Sequence, residues 1–111
     1  MNTFKELTSL EEIENLIANN QLAFLYITMP NCSVCHGLLP QIENILSNYP
    51  KILARQVNAS NVTEIAGRFN IFTAPVLLLF VDGKEYIREA RFVQTELLND
   101  KIARIYNNLA N

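Results

Sequence analysis

The chain has 111 residues, 50% of them hydrophobic, and its 9 basic residues against 11 acidic ones give a net charge of −2. That length suits a single domain over residues 1–111, and that apolar share builds a core without metal or disulfide staples. A near-neutral balance with no run of like charge argues against nucleic-acid and anionic-membrane binders, and 3 Gly with 4 Pro are too few for a disordered chain.

The N-terminus, Met1-Asn2-Thr3-Phe4-Lys5-Glu6, carries no signal-peptide pattern. The apolar runs Leu22–Met29 and Ala74–Val81 fall short of the roughly 18–20 residues of a transmembrane helix. A cytoplasmic location is the expectation. Disulfide scaffolds are rare there, so the two cysteines call for a catalytic, metal-binding or incidental explanation.

In chain order, a weak strand signal covers Thr3–Leu7. Ser9–Asn20 reads as a helix, with Leu10, Ile13, Leu16 and Ile17 at helical spacing. Ser9 followed by Glu12 makes a capping box, and Asn19-Asn20 makes a stop, because Asn tolerates the left-handed conformation. Ala23–Ile27 is a strand apolar enough to be buried on both faces. After the loop Thr28–Asn31, helical spacing resumes from Cys32 to about Asn48 at Val34, Leu38, Leu39, Ile42, Ile45 and Leu46. Pro40 sits inside this helix, removes a backbone donor and is expected to kink it.

Ile52–Val57 is the next strand, and Val62–Phe69 a short helix capped by Ser60 or Asn61. Val76–Val81 and Glu85–Phe92 form a hairpin around Asp82-Gly83. Thr95 to about Leu109 closes the chain as a helix buried along Leu97, Leu98, Ile102, Ile105 and Leu109. The order (β)αβαβαββα implies one parallel crossover unit and one antiparallel pair. The fold class is therefore α/β, a mixed central sheet with helices on both faces.

The chemistry concentrates in Cys32-Ser33-Val34-Cys35, which follows a buried strand and opens a helix. The free N–H groups and positive dipole end of that helix stabilise a thiolate at Cys32. Cys35 lies one turn on, within disulfide reach. Cys32 is placed to attack a substrate disulfide, and Cys35 to resolve the mixed disulfide.

Further residues carry a family resemblance. The dithiol stands at a strand-to-helix junction, Pro40 follows the second cysteine by five residues, Thr73-Ala74-Pro75 precedes a strand, and Leu78-Leu79-Phe80-Val81-Asp82-Gly83-Lys84 reads as strand and turn. Taken together the chain resembles a thioredoxin-like protein over nearly its whole length. The resemblance implies a thioredoxin fold, Cys32 as nucleophile and Cys35 as resolving thiol in a redox-active disulfide. It implies that Pro75 is a cis-proline and that the Ala74 backbone faces the substrate chain. It implies protein disulfides as substrates, a thioredoxin reductase as electron donor and no dissociable cofactor. Loop position suggests Met29, Pro30, Phe72 and Phe92 as an apolar rim.

The sequence also departs from the family. No tryptophan precedes Cys32, and no proline stands between the cysteines. The family's buried carboxylate falls on Tyr26, read here as a core residue with its hydroxyl bonded. The glycine usual after the last strand falls near Arg91 or Phe92. His36, four residues after Cys32, stands one turn along the same helix face. A partly protonated His36 there lowers the Cys32 pKa; the alternative is a solvated surface histidine.

Four other readings of these residues stand beside the enzyme. Cys32–His36 spells the c-type haem attachment pattern, but no distal ligand is evident. Two thiolates and one imidazole are one ligand short of a structural zinc site. The cysteines could be buried small hydrophobes. A thioredoxin-like adaptor or redox sensor with little turnover is the main alternative, motivated by the missing acid.

Overall fold

In the computed structural model the described residues, 4–110, form nine elements. They are β1 (Lys5–Leu7), α1 (Leu10–Asn19), β2 (Leu22–Thr28), α2 (Ser33–Leu46), β3 (Leu53–Asn58), α3 (Ile65–Phe69), β4 (Val76–Val81), β5 (Lys84–Ala90) and α4 (Thr95–Ala110). The sheet order is β1-β3-β2-β4-β5. β3 is parallel to both β1 and β2, whereas β4 runs antiparallel to β2 and β5 antiparallel to β4. This is the mixed sheet of a thioredoxin fold, with helices on both faces.

Period-2 alternation on β2 and β4 builds the two layers. Ala23, Leu25 and Ile27, with Val76, Leu78 and Phe80, face a cluster completed by Ile13 and Ile17 of α1 and by Ile65 and Phe69 of α3. Leu22, Phe24 and Tyr26, with Leu77 and Leu79, face Leu38, Ile42 and Leu46 of α2 and Leu98 and Ile102 of α4. Every residue from Leu22 to Ile27 and from Val76 to Val81 is buried.

Local signals set most boundaries. Ser9 caps α1, its Oγ accepting from the Glu12 N–H at 3.1 Å. The Glu12 carboxylate returns the contact one residue further out than a capping box requires, accepting from the Thr8 N–H at 2.9 Å. That bond holds the Glu12 carboxyl below its usual range. Asp82 and Gly83 adopt φ of 51° and 82°, the paired left-handed residues of a type I′ hairpin. A bulge follows, because Leu79 pairs with Ile87 but Phe80 with Glu85, leaving Tyr86 unmatched.

Several sequence expectations shift. Thr3, the start of the expected first strand, lies outside the described residues. Asn20 is extended at φ −134°; it stops α1 through its side chain, whose Nδ2 donates to the Leu16 carbonyl at 2.9 Å. Left-handed Asn appears instead at Asn70, φ 57°, after α3. α3 starts at Ile65 and has no side-chain cap, because Asn58 turns the chain earlier by accepting from the Ser60 N–H at 2.9 Å. β5 ends at Ala90, where Arg91 breaks the strand with φ 69°. α2 ends at Leu46, and Val34, expected on its buried stripe, is 55% exposed. Leu97 and Leu109 of α4 are likewise exposed.

Gly83 tests the hairpin. A Cβ built there meets nothing within 4 Å, so Gly83→Ala is penalised by the positive φ alone, about 1–2 kcal/mol. The urea midpoint of the variant is expected to fall while the m-value holds.

Candidate active site: the Cys32–Cys35 dithiol

β2 ends at Thr28 and the chain turns through Met29, Pro30 and Asn31. Asn31 takes φ 60°, a left-handed conformation that Asn adopts at low cost. The turn delivers Cys32 to the N-cap of α2, where its Sγ accepts from the Cys35 N–H at 3.2 Å. A side-chain oxygen usually fills that role. A negative charge on the same sulfur is favoured by the N–H and by the helix dipole.

Cys32 and Cys35 are joined by a disulfide, with Cα atoms 5.3 Å apart. Cys35 is 2% exposed and Cys32 is half-buried. The outer sulfur is therefore the one a second protein can reach. His36 is exposed, and its backbone N–H donates to the Cys32 carbonyl at 3.4 Å.

Tyr26 is fully buried beneath the dithiol, and its hydroxyl donates to the Cys35 carbonyl at 2.6 Å. Burial pushes the phenol up to about 12. Its proton is committed to a carbonyl, so Tyr26 is a strut for the first turns of α2 and not a base for Cys35.

The Ala74–Pro75 peptide bond is cis. Ile27 pairs with Val76, so Pro75 lies level with the end of β2, where the cysteine loop departs. Pro75 is buried and Ala74 half-buried. The Pro75 carbonyl accepts from the Arg91 N–H at 2.9 Å. Arg91 itself holds φ 69°, a conformation costing a residue with a Cβ about 1–2 kcal/mol.

The loops at this end of the sheet expose apolar groups. Phe72 is 82% exposed, Phe92 87% and Val34 55%, and Pro30 is exposed as well. Met29 is not a rim residue: it is half-buried and packs on the core cluster of Leu25 and Leu78. Val34 was missed by the sequence reading because its helical spacing matches the buried stripe; only its place in the first turn, beyond the sheet end, distinguishes it.

Among the described residues no group of three or more His, Cys, Asp or Glu side chains is placed to hold a metal. A cleft of about 700 Å³ opens between Phe4, Pro40, Leu46 and Arg55. It borders the second half of α2 and includes neither cysteine. No helix is long and apolar enough to cross a membrane, among the described residues.

The strut is testable by pH. In the folded protein the phenol titrates near 12, against an ordinary value of 10.0. A raised pKa means the folded state holds the proton longer, so this stability is complete below pH 10 and is lost as pH rises toward 12. Tyr26→Phe is expected to cost about 0.5–1.5 kcal/mol at neutral pH for the lost hydrogen bond. The gap between wild type and variant should shrink above pH 10 in urea unfolding of the oxidised proteins. A gap constant to pH 11 contradicts the burial of the hydroxyl.

The Thioredoxin family model matches residues 4–104. The chain is 50% identical over 105 residues to the thioredoxin-like protein YdfQ of Bacillus subtilis, covering 92% of this chain and 94% of that protein. It is 26% identical over 97 residues to a thioredoxin of Chlamydia pneumoniae, covering 87% and 94%. The structure of oxidised thioredoxin from Plasmodium falciparum superposes with a TM-score of 0.83 at 21% identity, covering 93% of this chain and 98% of that one. Family model, half-identical relative and sheet topology converge, and the chain belongs to the thioredoxin family.

Proposed function

We propose that the protein is a thiol–disulfide oxidoreductase that reduces disulfides in other proteins of the cytoplasm. One observation carries this reading: a disulfide-bonded pair whose outer member caps a helix and whose inner member is buried. The Cys32 thiolate attacks one sulfur of the substrate disulfide, forming a mixed disulfide and releasing the first substrate thiolate. The Cys35 thiolate then attacks Cys32 Sγ, forming the Cys32–Cys35 disulfide and releasing the second. Two electrons pass to the substrate, whose thiolates take up two protons. The Ala74 backbone beside Pro75 receives the substrate chain as an added strand. A thioredoxin reductase returns the electrons, and the dithiol needs no cofactor of its own. His36, one turn from Cys32, favours the thiolate.

Four measurements test this. Cys32→Ser should abolish reduction of a protein disulfide, and Cys35→Ser should accumulate the mixed disulfide. His36→Ala should leave less Cys32 thiolate at neutral pH, read by ultraviolet thiolate absorbance. Equilibration with glutathione should give a potential near about −270 mV; a value near about −180 or −120 mV overturns the reducing direction in favour of isomerisation or oxidation.

The adaptor or redox-sensor reading is favoured by Tyr26, which stands in the family's acid position and donates its proton to a carbonyl. In that reading the partner binds equally well to wild type and Cys32→Ser, and turnover is slight.

A further inference from the structure

Arg91 is the conformational outlier of the chain. The non-glycine residues with positive φ are Asn31, Asn70, Asp82 and Arg91; three are Asn or Asp, which tolerate the left-handed region, and arginine is not among the types that do. Its backbone is held there by the N–H bond to the Pro75 carbonyl at 2.9 Å. The side chain is exposed and joins no ion pair among the described residues, whose bridges are Arg68–Glu14, Arg88–Glu85 and Lys101–Glu89.

Its surroundings are unusual for this molecule. The chain as a whole is acidic, at −2. The three segments that meet beside the dithiol, 29–36, 70–75 and 91–94, contain no carboxylate and no lysine. Arg91 is their full positive charge, with His36 as the other titratable base. The nearest acidic residue along the chain, Glu89, is two positions away and is taken by Lys101 at 2.7 Å, and Glu96, in the first turn of α4, makes no bridge to Arg91. Exposed Phe92 follows directly, and exposed Phe72 precedes the Pro75 turn.

We propose that Arg91 is a specificity-determining residue: the unpaired cation fixed beside Pro75 selects partner disulfides flanked by acidic residues. The inference rests on the oxidoreductase reading above. An extended partner segment beside Pro75 lays its flanking side chains along the Arg91 edge, where apolar contact comes from Phe92 and charge from the guanidinium. The redox step is unchanged; Arg91 alters which disulfides reach Cys32.

The test uses reduced protein and three synthetic peptides, each with one internal disulfide, identical except for flanking Asp, Lys or Ser. Single-turnover rate constants are measured at low ionic strength. The Asp peptide is expected to react about fivefold faster than the Lys peptide, the scale of one exposed ion pair, with the ratio shrinking in high salt. Arg91→Lys should keep most of that preference. Arg91→Gly, which takes the same φ freely, should bring the ratio to about one, and Arg91→Glu should invert it. A wild-type ratio of one, or a preference that survives Arg91→Gly or Arg91→Glu, overturns the inference while the oxidoreductase reading stands. A protein that reduces none of the three peptides, Ser included, overturns that reading and the inference with it.

Discussion

Strands β2 and β4 have no solvent-facing side. Leu22–Ile27 and Val76–Val81 are buried at every position, with alternate side chains feeding the α1/α3 layer and the α2/α4 layer. Two faces of different shape leave one workable register, because a slip of one residue exchanges the whole set between layers. Tyr26 shows what depends on it. In the observed register its hydroxyl reaches the Cys35 carbonyl at 2.6 Å; slipped by one, a phenol would enter the α1/α3 cluster, where every buried residue is apolar. An unpartnered hydroxyl there costs on the order of 1–3 kcal/mol. The core register and the seating of the dithiol helix are therefore one constraint.

The same pairing gathers the site. β2 and β3 run out toward one end of the sheet, β4 enters from it and β5 returns to it, so Thr28, Asn58, Val76 and Ala90 lie together. Loops at that end bring the Cys32 N-cap, the Pro75 turn and Arg91 into one neighbourhood. Left-handed non-glycine residues concentrate in these loops, at Asn31, Asn70 and Arg91. Backbone in sparsely populated regions persists only where the surroundings fix it. At Arg91 the fixing contact is the Pro75 carbonyl, so the residue with the least favourable backbone is tied to the Pro75 loop beside the dithiol.

The framework was legible where the local signal and the tertiary answer agree. Asp82-Gly83 gave the hairpin because both residues tolerate positive φ, and the unbroken apolar run at Ala23–Ile27 gave a strand covered on both sides. Cys32-Ser33-Val34-Cys35 was legible as a dithiol at a helix start because spacing alone puts two sulfurs one turn apart. The exposure of Val34 was not legible, since helical period cannot tell a buried stripe from a first turn that overhangs the sheet. Met29 was misplaced for the converse reason: a loop residue can fold back onto the core. The conformation of Arg91 was invisible, because no propensity favours arginine at φ 69°; only the strand register and the Pro75 bond require it.

Proton transfer is where Tyr26 leaves its mark on function. Resolution of a mixed disulfide needs Cys35 as thiolate, yet Cys35 is 2% exposed, and burial disfavours the charged form. A buried carboxylate could take that proton; a phenol held neutral up to about 12 and already donating to a carbonyl cannot. In the proposed reaction the first step is helped by the helix terminus at Cys32, whereas no buried carboxylate among the described residues serves the second. Under that proposal the asymmetry lengthens the life of the mixed disulfide relative to its formation. Turnover as a reductase and persistent attachment as an adaptor or sensor are then two ends of one scale. With Cys35 as the resolving thiol we propose, the rate at which it loses its proton sets the position of this protein along that scale.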